Sequence, residues 1–201
     1  MENNEKKKES QVRVKLKAQL FNLTHIPKGF VEDTRFERLF ERLSSHFLHS
    51  SERLEGSIQL GCLQSLSNGI VHDDERVVAI SLRLLGVFAS LSRGYEHIVE
   101  EKKTDLLSSL FESSKSEHPL VREASFKALK TLIFDHEFCG GRTNTSLLME
   151  WMKGFEVTQV LFISLRDESH FVSRAAVSFF CQLIQVKECE KVLDKRKISR
   201  G

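Results

Sequence analysis

Three stretches of this chain carry the same spacing of apolar residues, and that repetition restricts the fold more than any other feature. They align on Val77, Val121 and Val172. Three residues beyond each valine stand Ile80, Ala124 and Ala175, and eight beyond stand Leu85, Leu129 and Phe180. Eleven beyond stand Phe88, Leu132 and Leu183, and eleven before stand Leu66, Leu110 and Leu161. These intervals keep the side chains on one face of a helix. A polar turn precedes each valine: HDDER, SSKSEHP or RDESH. The unit is therefore helix, short polar turn, helix. The valines stand 44 and 51 residues apart, close to the ~40–47 residues of HEAT and armadillo units. An inserted loop, FCGGRTNTS with Gly140 and Gly141, accounts for the longer interval. The expectation is an all-α chain, an α-solenoid of HEAT/armadillo-like helix-turn-helix repeats. An irregular helical bundle is the competing architecture.

Local signals agree with this. Pro119 stands at the start of its helix, where a missing N–H costs nothing. Ala124, Ala128, Ala175 and Ala176 suit the second helix of each pair, because small side chains allow axes to approach within ~8–10 Å. Ahead of the repeats, Phe36, Leu39, Phe40, Leu43 and Phe47 form one helical stripe in VEDTRFERLFERLSSHFL, with Asp33 or Thr34 as its cap. Residues 12–23 read equally as strand or helix, and Pro27 with Gly29 makes a turn. The organisation expected is a polar, partly disordered segment over 1–30, the repeat domain over 31–186 and a basic tail over 187–201.

Charge bears on partners. The chain is +2 overall, yet residues 1–19 and 187–201 each hold six Lys/Arg against three acids. The body between them is net −4. Nucleic-acid binding needs a basic stripe on the folded surface, so nucleic acid is not the expected partner and the basic ends read as solubilising. The four cysteines, Cys62, Cys139, Cys181 and Cys189, show no C-x-x-C spacing. Cys62 and Cys181 lie within apolar helical patterns and read as small hydrophobes, in a reducing compartment without disulfides. MENNEKKKES has no apolar core of a secretory signal, which leaves the sequons at Asn22 and Asn144 as chance matches. The longest near-apolar run, from Ala175 to Val186, falls short of the ~20 residues of a membrane span.

A search for chemistry finds no enzyme. His136 with Cys139, and His46 with His49, are spaced three apart, but neither pair has a second pair at metal-ligand spacing. No G-x-S-x-G, P-loop or G-x-G-x-x-G occurs. Asp73, Asp74 and Glu75 cluster between two helices, where acids serve as turn and cap residues. Arg122 and Arg174 either grip a partner or nucleic acid, or pair with an acid in a neighbouring turn, and the pairing is the preferred reading. No catalytic, cofactor-binding or metal-binding residue is assigned, and no cofactor is implied.

Three segments in order carry a more specific likeness: VEDTRFERLFERL at 31–43, ISLRLLGVFAS at 80–90 and DESHFVSRAAVSFFCQLI at 167–184. Their anchors are Asp33 and Thr34; Ser81, Leu82, Arg83, Leu84, Gly86, Phe88 and Ala89; and Asp167, Ser169, Phe171, Val172, Ala175 and Ala176. Over about residues 31–186 the chain resembles the N-terminal part of the BRCA-associated ATM activator family, HEAT-repeat scaffolds of the DNA-damage response. The resemblance implies a non-enzymatic scaffold of cytoplasm and nucleus. Its implied partners are the ATM kinase, the BRCA protein and the nuclease module of the Integrator complex. Family members run much longer. Where their C-terminal repeats would follow, this sequence turns after Val186 to KECEKVLDKRKISRG, so contact with the nuclease module loses its basis. A short isoform or a partial gene accounts for that departure.

One further expectation concerns the last helix. Val172, Ala175, Ala176, Phe179, Phe180, Leu183, Ile184 and Val186 cover more than one stripe. One apolar face is left with only residues 187–201 to cover it, so the isolated chain is expected to self-associate.

Overall fold

Each polar turn between the paired helices is a place where the chain reverses. In the computed structural model the described residues are 10–12, 14–21, 33–100, 104–134 and 157–186. They form helices α1 (Asp33–His49), α2 (Ser51–Gln59), α3 (Cys62–Ile70), α4 (Glu75–Ser90), α5 (Ser92–Glu100), α6 (Thr104–Ser113), α7 (Pro119–Ile133), α8 (Val157–Ser164) and α9 (His170–Leu183). No strand occurs among the described residues. Residues 10–12 and 14–21 are also helical, which resolves the choice between strand and helix there, and Leu16 and Leu20 are buried. The loop FCGGRTNTS, the turn at Pro27 and Gly29, and the tail 187–201 lie outside the described residues.

The aligned valines mark one structural position. Val77, Val121 and Val172 are all buried, as are Ile80, Ala124 and Ala175, and Leu66, Leu110 and Leu161. Phe180 departs from the pattern and is only half-buried. Three residues before each valine sits the N-cap of the second helix: Asp74, His118 or Ser169. Two residues earlier again, a side chain accepts a hydrogen bond from the N-cap N–H. His72 Nδ1 accepts from Asp74 at 3.0 Å, Ser116 Oγ from His118 at 3.2 Å, and Asp167 Oδ1 from Ser169 at 2.9 Å. Three different side chains thus close the same turn, by the local route that short polar residues offer. Ser125 adds a tie within its unit. Its buried hydroxyl donates to the Leu110 carbonyl near the end of α6, which also accepts from the Ser114 N–H at 3.2 Å.

The unit has three helices rather than two. Ahead of each α3–α4 and α6–α7 pair stands a nine-residue helix, α2 or α5. At its end α2 reaches Gly61, whose φ of 73° is the left-handed conformation that glycine adopts without strain. The step from α4 into α5 is a bend of 107°. There Gly94 lies so close to α4 that a Cβ would stand 2.1 Å from the Phe88 carbonyl oxygen. The chain is therefore built from armadillo-type triplets, α2–α3–α4 and α5–α6–α7. The pair α8–α9 follows in the same register.

Second helices stack into a ladder, α1 on α4, α4 on α7 and α7 on α9, and each unit packs its first-layer helix against its own rung. Gly86 on α4 faces Ala128 on α7, where an added Cβ would lie 3.7 Å from the Ala128 Cα. Along the ladder Phe47 meets Phe88 edge-on at 5.7 Å, and Phe179 meets Phe126 at 6.3 Å and Phe134 at 5.5 Å. A continuous core therefore runs between rungs, with α4 buried on most of its surface.

Candidate protein-binding groove

One side of the ladder stays open to solvent. It is lined by residues one before, two after and six after each aligned valine. On α4 these are Arg76, Ala79 and Arg83; on α7 they are Leu120, Glu123 and Lys127. With Phe36 and Glu37 of α1 they bound a groove of about 620 Å³. On α9 the same register holds Phe171, Arg174 and Ser178, all exposed.

The groove's cations are engaged by the protein itself. Arg83 donates to Glu37 at 2.8 Å and lies over the Phe40 ring at 4.0 Å. Arg76 lies over Phe36 at 4.9 Å and bonds Asp74 through Nη2 at 3.0 Å. Lys127 pairs with Glu123. Each guanidinium thus rests on an aromatic face, which suits its flat, weakly hydrated surface. Stacking also holds the long side chains extended, so the groove wall is ordered before anything binds. Leu120 lines the same groove, 61% exposed.

The acid cluster at 73–75 has a structural explanation. Asp74 caps α4, accepting from the Arg76 backbone N–H at 2.9 Å and from its guanidinium. Those bonds from the Arg76 side chain hold the Asp74 carboxyl below the usual carboxylate range. Arg122 is likewise committed. Its guanidinium meets both Asp167 carboxylate oxygens, at 2.7 and 2.8 Å, and donates to the carbonyls of Ser116 and Glu117 at 2.8 Å. This is the preferred structural reading, with the partner acid supplied by the next unit's turn. Arg174 is exposed, and among the described residues it forms no ion pair.

Among the described residues, histidine and cysteine form no site. His46 and His49 both stand in the last turn of α1. Burial, then the nearby Arg53 charge, pushes His46 below its ordinary pKa. Among the described residues no three His, Cys, Asp or Glu side chains gather as a metal site; His136 and Cys139 lie outside them. Cys62 is buried, and desolvation pushes its thiol up to about 12, so it is an inert packing residue. Cys181 corrects the sequence reading: it is exposed, not part of the core. No single helix among the described residues is long and apolar enough to cross a membrane.

Comparisons with known proteins match this architecture and nothing narrower. Among solved structures, the chain is similar to a designed armadillo repeat protein in complex with the peptide (KR)4. The identity is 15% and the TM-score 0.65, over 90% of this chain and 69% of the other. A second designed armadillo repeat protein aligns at 16% identity and TM-score 0.61, over 84% of this chain and 64% of that one. An engineered protein aligns at 19% and 0.60, over 82% and 61%. No protein-family model and no curated protein matches the chain. The fold is an all-α solenoid of armadillo/HEAT-like repeats.

Sequence reasoning found the helices that carry the groove but not the groove itself. Its wall depends on α1 standing as a further rung, so that Phe36 and Phe40 lie under arginines 40 or more residues away. The periodicity of α1 reports a buried stripe and is silent on what stacks over it.

Proposed function

We propose that the chain is a non-enzymatic protein-interaction scaffold and that the groove along α1, α4 and α7 receives an extended segment of a partner protein. The observation that carries this reading is the pre-ordered wall: arginines stacked on Phe36 and Phe40 share the groove lining with an exposed Leu120. Such a surface offers one apolar contact and paired charges of both signs. It suits a mixed polypeptide better than a phosphate backbone, because the cations already face carboxylates. The similar designed armadillo repeat protein is in complex with the peptide (KR)4, which is consistent with that use of an armadillo surface.

The finer reading rests on the sequence resemblance alone. It is a role in the DNA-damage response and growth control in cytoplasm and nucleus, with the ATM kinase and the BRCA protein as partners. Binding of the Integrator nuclease module belongs to the same reading.

The test is a pull-down from nuclear and cytoplasmic extracts read by mass spectrometry, with wild type beside Leu120→Asp. Leu120 is exposed, so the variant folds. Partners that use the groove are lost from the variant. An identical set of bound proteins on both baits sinks the groove reading, and a groove-dependent set without the kinase or the BRCA protein sinks only the finer one.

A further inference from the structure

Arginines along the ladder are paired: Arg76, Arg83, Arg93 and Arg122 each meet a carboxylate. On α1 the arrangement differs. Arg35, Arg38 and Arg42 are exposed, and among the described residues none of them meets a carboxylate. At ~3.6 residues per turn they fall within an arc of about 60°, and the exposed His49 falls in the same arc. Glu37 and Glu41, spaced by four, share the other flank, where Glu37 borders the groove. The exposed surface of α1 is thus acidic toward the groove and basic away from it. The basic side continues onto α2. Burial, then the charges of Arg53 and His49, holds His46 below its ordinary pKa, so the neighbouring charges there are cationic. The acid in the first turn of α2, Glu52, accepts from its own backbone N–H and from Ser50.

We propose that this stripe of Arg35, Arg38 and Arg42, extended by Arg53, binds the phosphate backbone of duplex DNA without regard to sequence. The net −4 of the body is an average, and it includes acids already bonded to arginines. Binding depends on the local field instead. A guanidinium stays charged at any working pH, and its planar fork matches a phosphate. Arg35 and Arg42 span about 10 Å along the helix axis. That length meets several phosphates, which stand ~3.4 Å apart along the axis of one strand. The arc holds no apolar side chain and no Phe, Tyr or Trp. A protein partner would find no buried anchor there, a membrane nothing to insert and a single strand no ring to stack on. A duplex backbone asks only for charge. The B-form major groove, about 12 Å wide, also admits the crest of an exposed helix, whereas the A-form groove of duplex RNA is too narrow. Stripe and groove lie on different sides of α1, so this proposal and the groove reading fail independently.

The test is fluorescence anisotropy of labelled DNA duplexes of two unrelated sequences, titrated with the full chain over a range of salt. Both should bind alike, with a dissociation constant of roughly 10–100 µM at low salt. Four phosphate contacts give a slope of log K against log salt of about −3 to −4. Arg38→Gln with Arg42→Gln changes two exposed side chains to another good helix former, so the fold should persist by circular dichroism. This variant should bind about tenfold or more weakly and flatten the slope by about two. Lys115→Gln with Arg166→Gln makes the same charge change at exposed positions on other helices and should bind like the parent. No binding at low salt overturns the proposal. Binding that the stripe variant keeps belongs to the basic residues elsewhere in the chain and overturns it too, as does an equal loss in both variants. Tighter binding of a duplex RNA, or of phosphatidylserine vesicles, overturns the choice of DNA.

Discussion

Two of the ladder's junctions, α4–α7 and α7–α9, are closed by different means. Between α4 and α7 the rungs meet through small residues: Gly86 faces Ala128, and each side is otherwise apolar. The ion pair that crosses this junction on the first-helix side, Arg93 of α5 to Glu55 of α2 at 3.0 Å, is exposed on both partners, 41% and 40%. Such pairs contribute little. Between α7 and α9 large rings fill the space, with Phe179 between Phe126 and Phe134. There the crossing ion pair is Arg122 to Asp167, with side chains 17% and 7% exposed. At the turn end of this junction the forked Arg–carboxylate contact adds a geometric tie between the rungs. One sequence pattern thus yields a junction set by packing and a junction set by packing plus a buried charge pair.

The largest effect should come from a change that respects neither. Leu129 on α7 is 0% exposed, and α7 takes part in both junctions. Leu129→Asp places an unpaired charge in the core at a cost of several kcal/mol, against a total stability of ~5–15 kcal/mol. Far-UV circular dichroism should show a largely unfolded chain at room temperature. A melt like that of the parent would mean that the repeat register is wrong.

The next effect separates the junctions. Asp167→Ala leaves the Arg122 guanidinium largely buried without its carboxylate, which should cost about 2–4 kcal/mol. Arg122→Ala should cost less than Leu129→Asp, and the double variant less than the sum of the singles. Hydrogen exchange should speed up in α8 and α9 while α4 keeps its protection. Equal loss of protection in α4 and α9 would show that the pair stabilises the whole array rather than its second junction.

The first junction should respond to volume and not to charge. A Cβ on Gly86 meets the Ala128 Cα at ordinary contact distance, so Gly86→Ala fits. It should be neutral or stabilise by up to ~1 kcal/mol, since it removes a glycine from a helix interior. Gly86→Leu exceeds the space and should destabilise by ~1–3 kcal/mol, seen as a lower denaturant midpoint. If both substitutions behave alike, the close approach of α4 and α7 does not govern that junction.

These contrasts show what the sequence could and could not announce. The aligned valines, the polar turn ahead of each and the small residues of the second helices were all readable, because one helical face buried in the same way three times leaves a repeated pattern. The short helices α2 and α5 were not. At nine residues each they are too brief to display a period, and the features that set them off, Gly61 at positive φ and Gly94 against Phe88, read in sequence as two isolated glycines. The paired helices were legible and the triplet was not. Cys181 and Phe180 look like core residues by composition, but their exposure is decided by whether another rung lies beyond α9. Phe179, one of the apolar residues read along the last helix, is fully buried, and the exposed large apolar residues there are Phe171, Val177 and Ile184. The groove depends on cross-unit stacking that no single helix encodes.

The smallest effect is the pH response of the second junction, and its sign follows from the bonds. The Arg122 guanidinium, more than any other group, holds the Asp167 carboxyl below its ordinary range, and the Ser169 N–H adds to this. A carboxyl whose pKa is depressed in the folded state stabilises that state fully above its unfolded value, roughly 3.9. That contribution is lost as pH falls through the lower, folded pKa. The α7–α9 junction should therefore loosen below about pH 4. The loss should be smaller than for Asp167→Ala, because the protonated carboxyl still fills its place and still accepts from Ser169. Asp74 is depressed in the same direction, but its bonds lie within one turn, so its protonation loosens the α4 cap and not a junction. Hydrogen exchange compared between neutral and acid pH should show α9 losing more protection than α7 in the wild type. Asp167→Asn keeps an acceptor for the Ser169 N–H and cannot titrate, so it should lose most of the α9-specific acid response while starting less stable at neutral pH. An acid response in α9 that survives Asp167→Asn unchanged would place its origin elsewhere and remove the charge pair from the account of that junction.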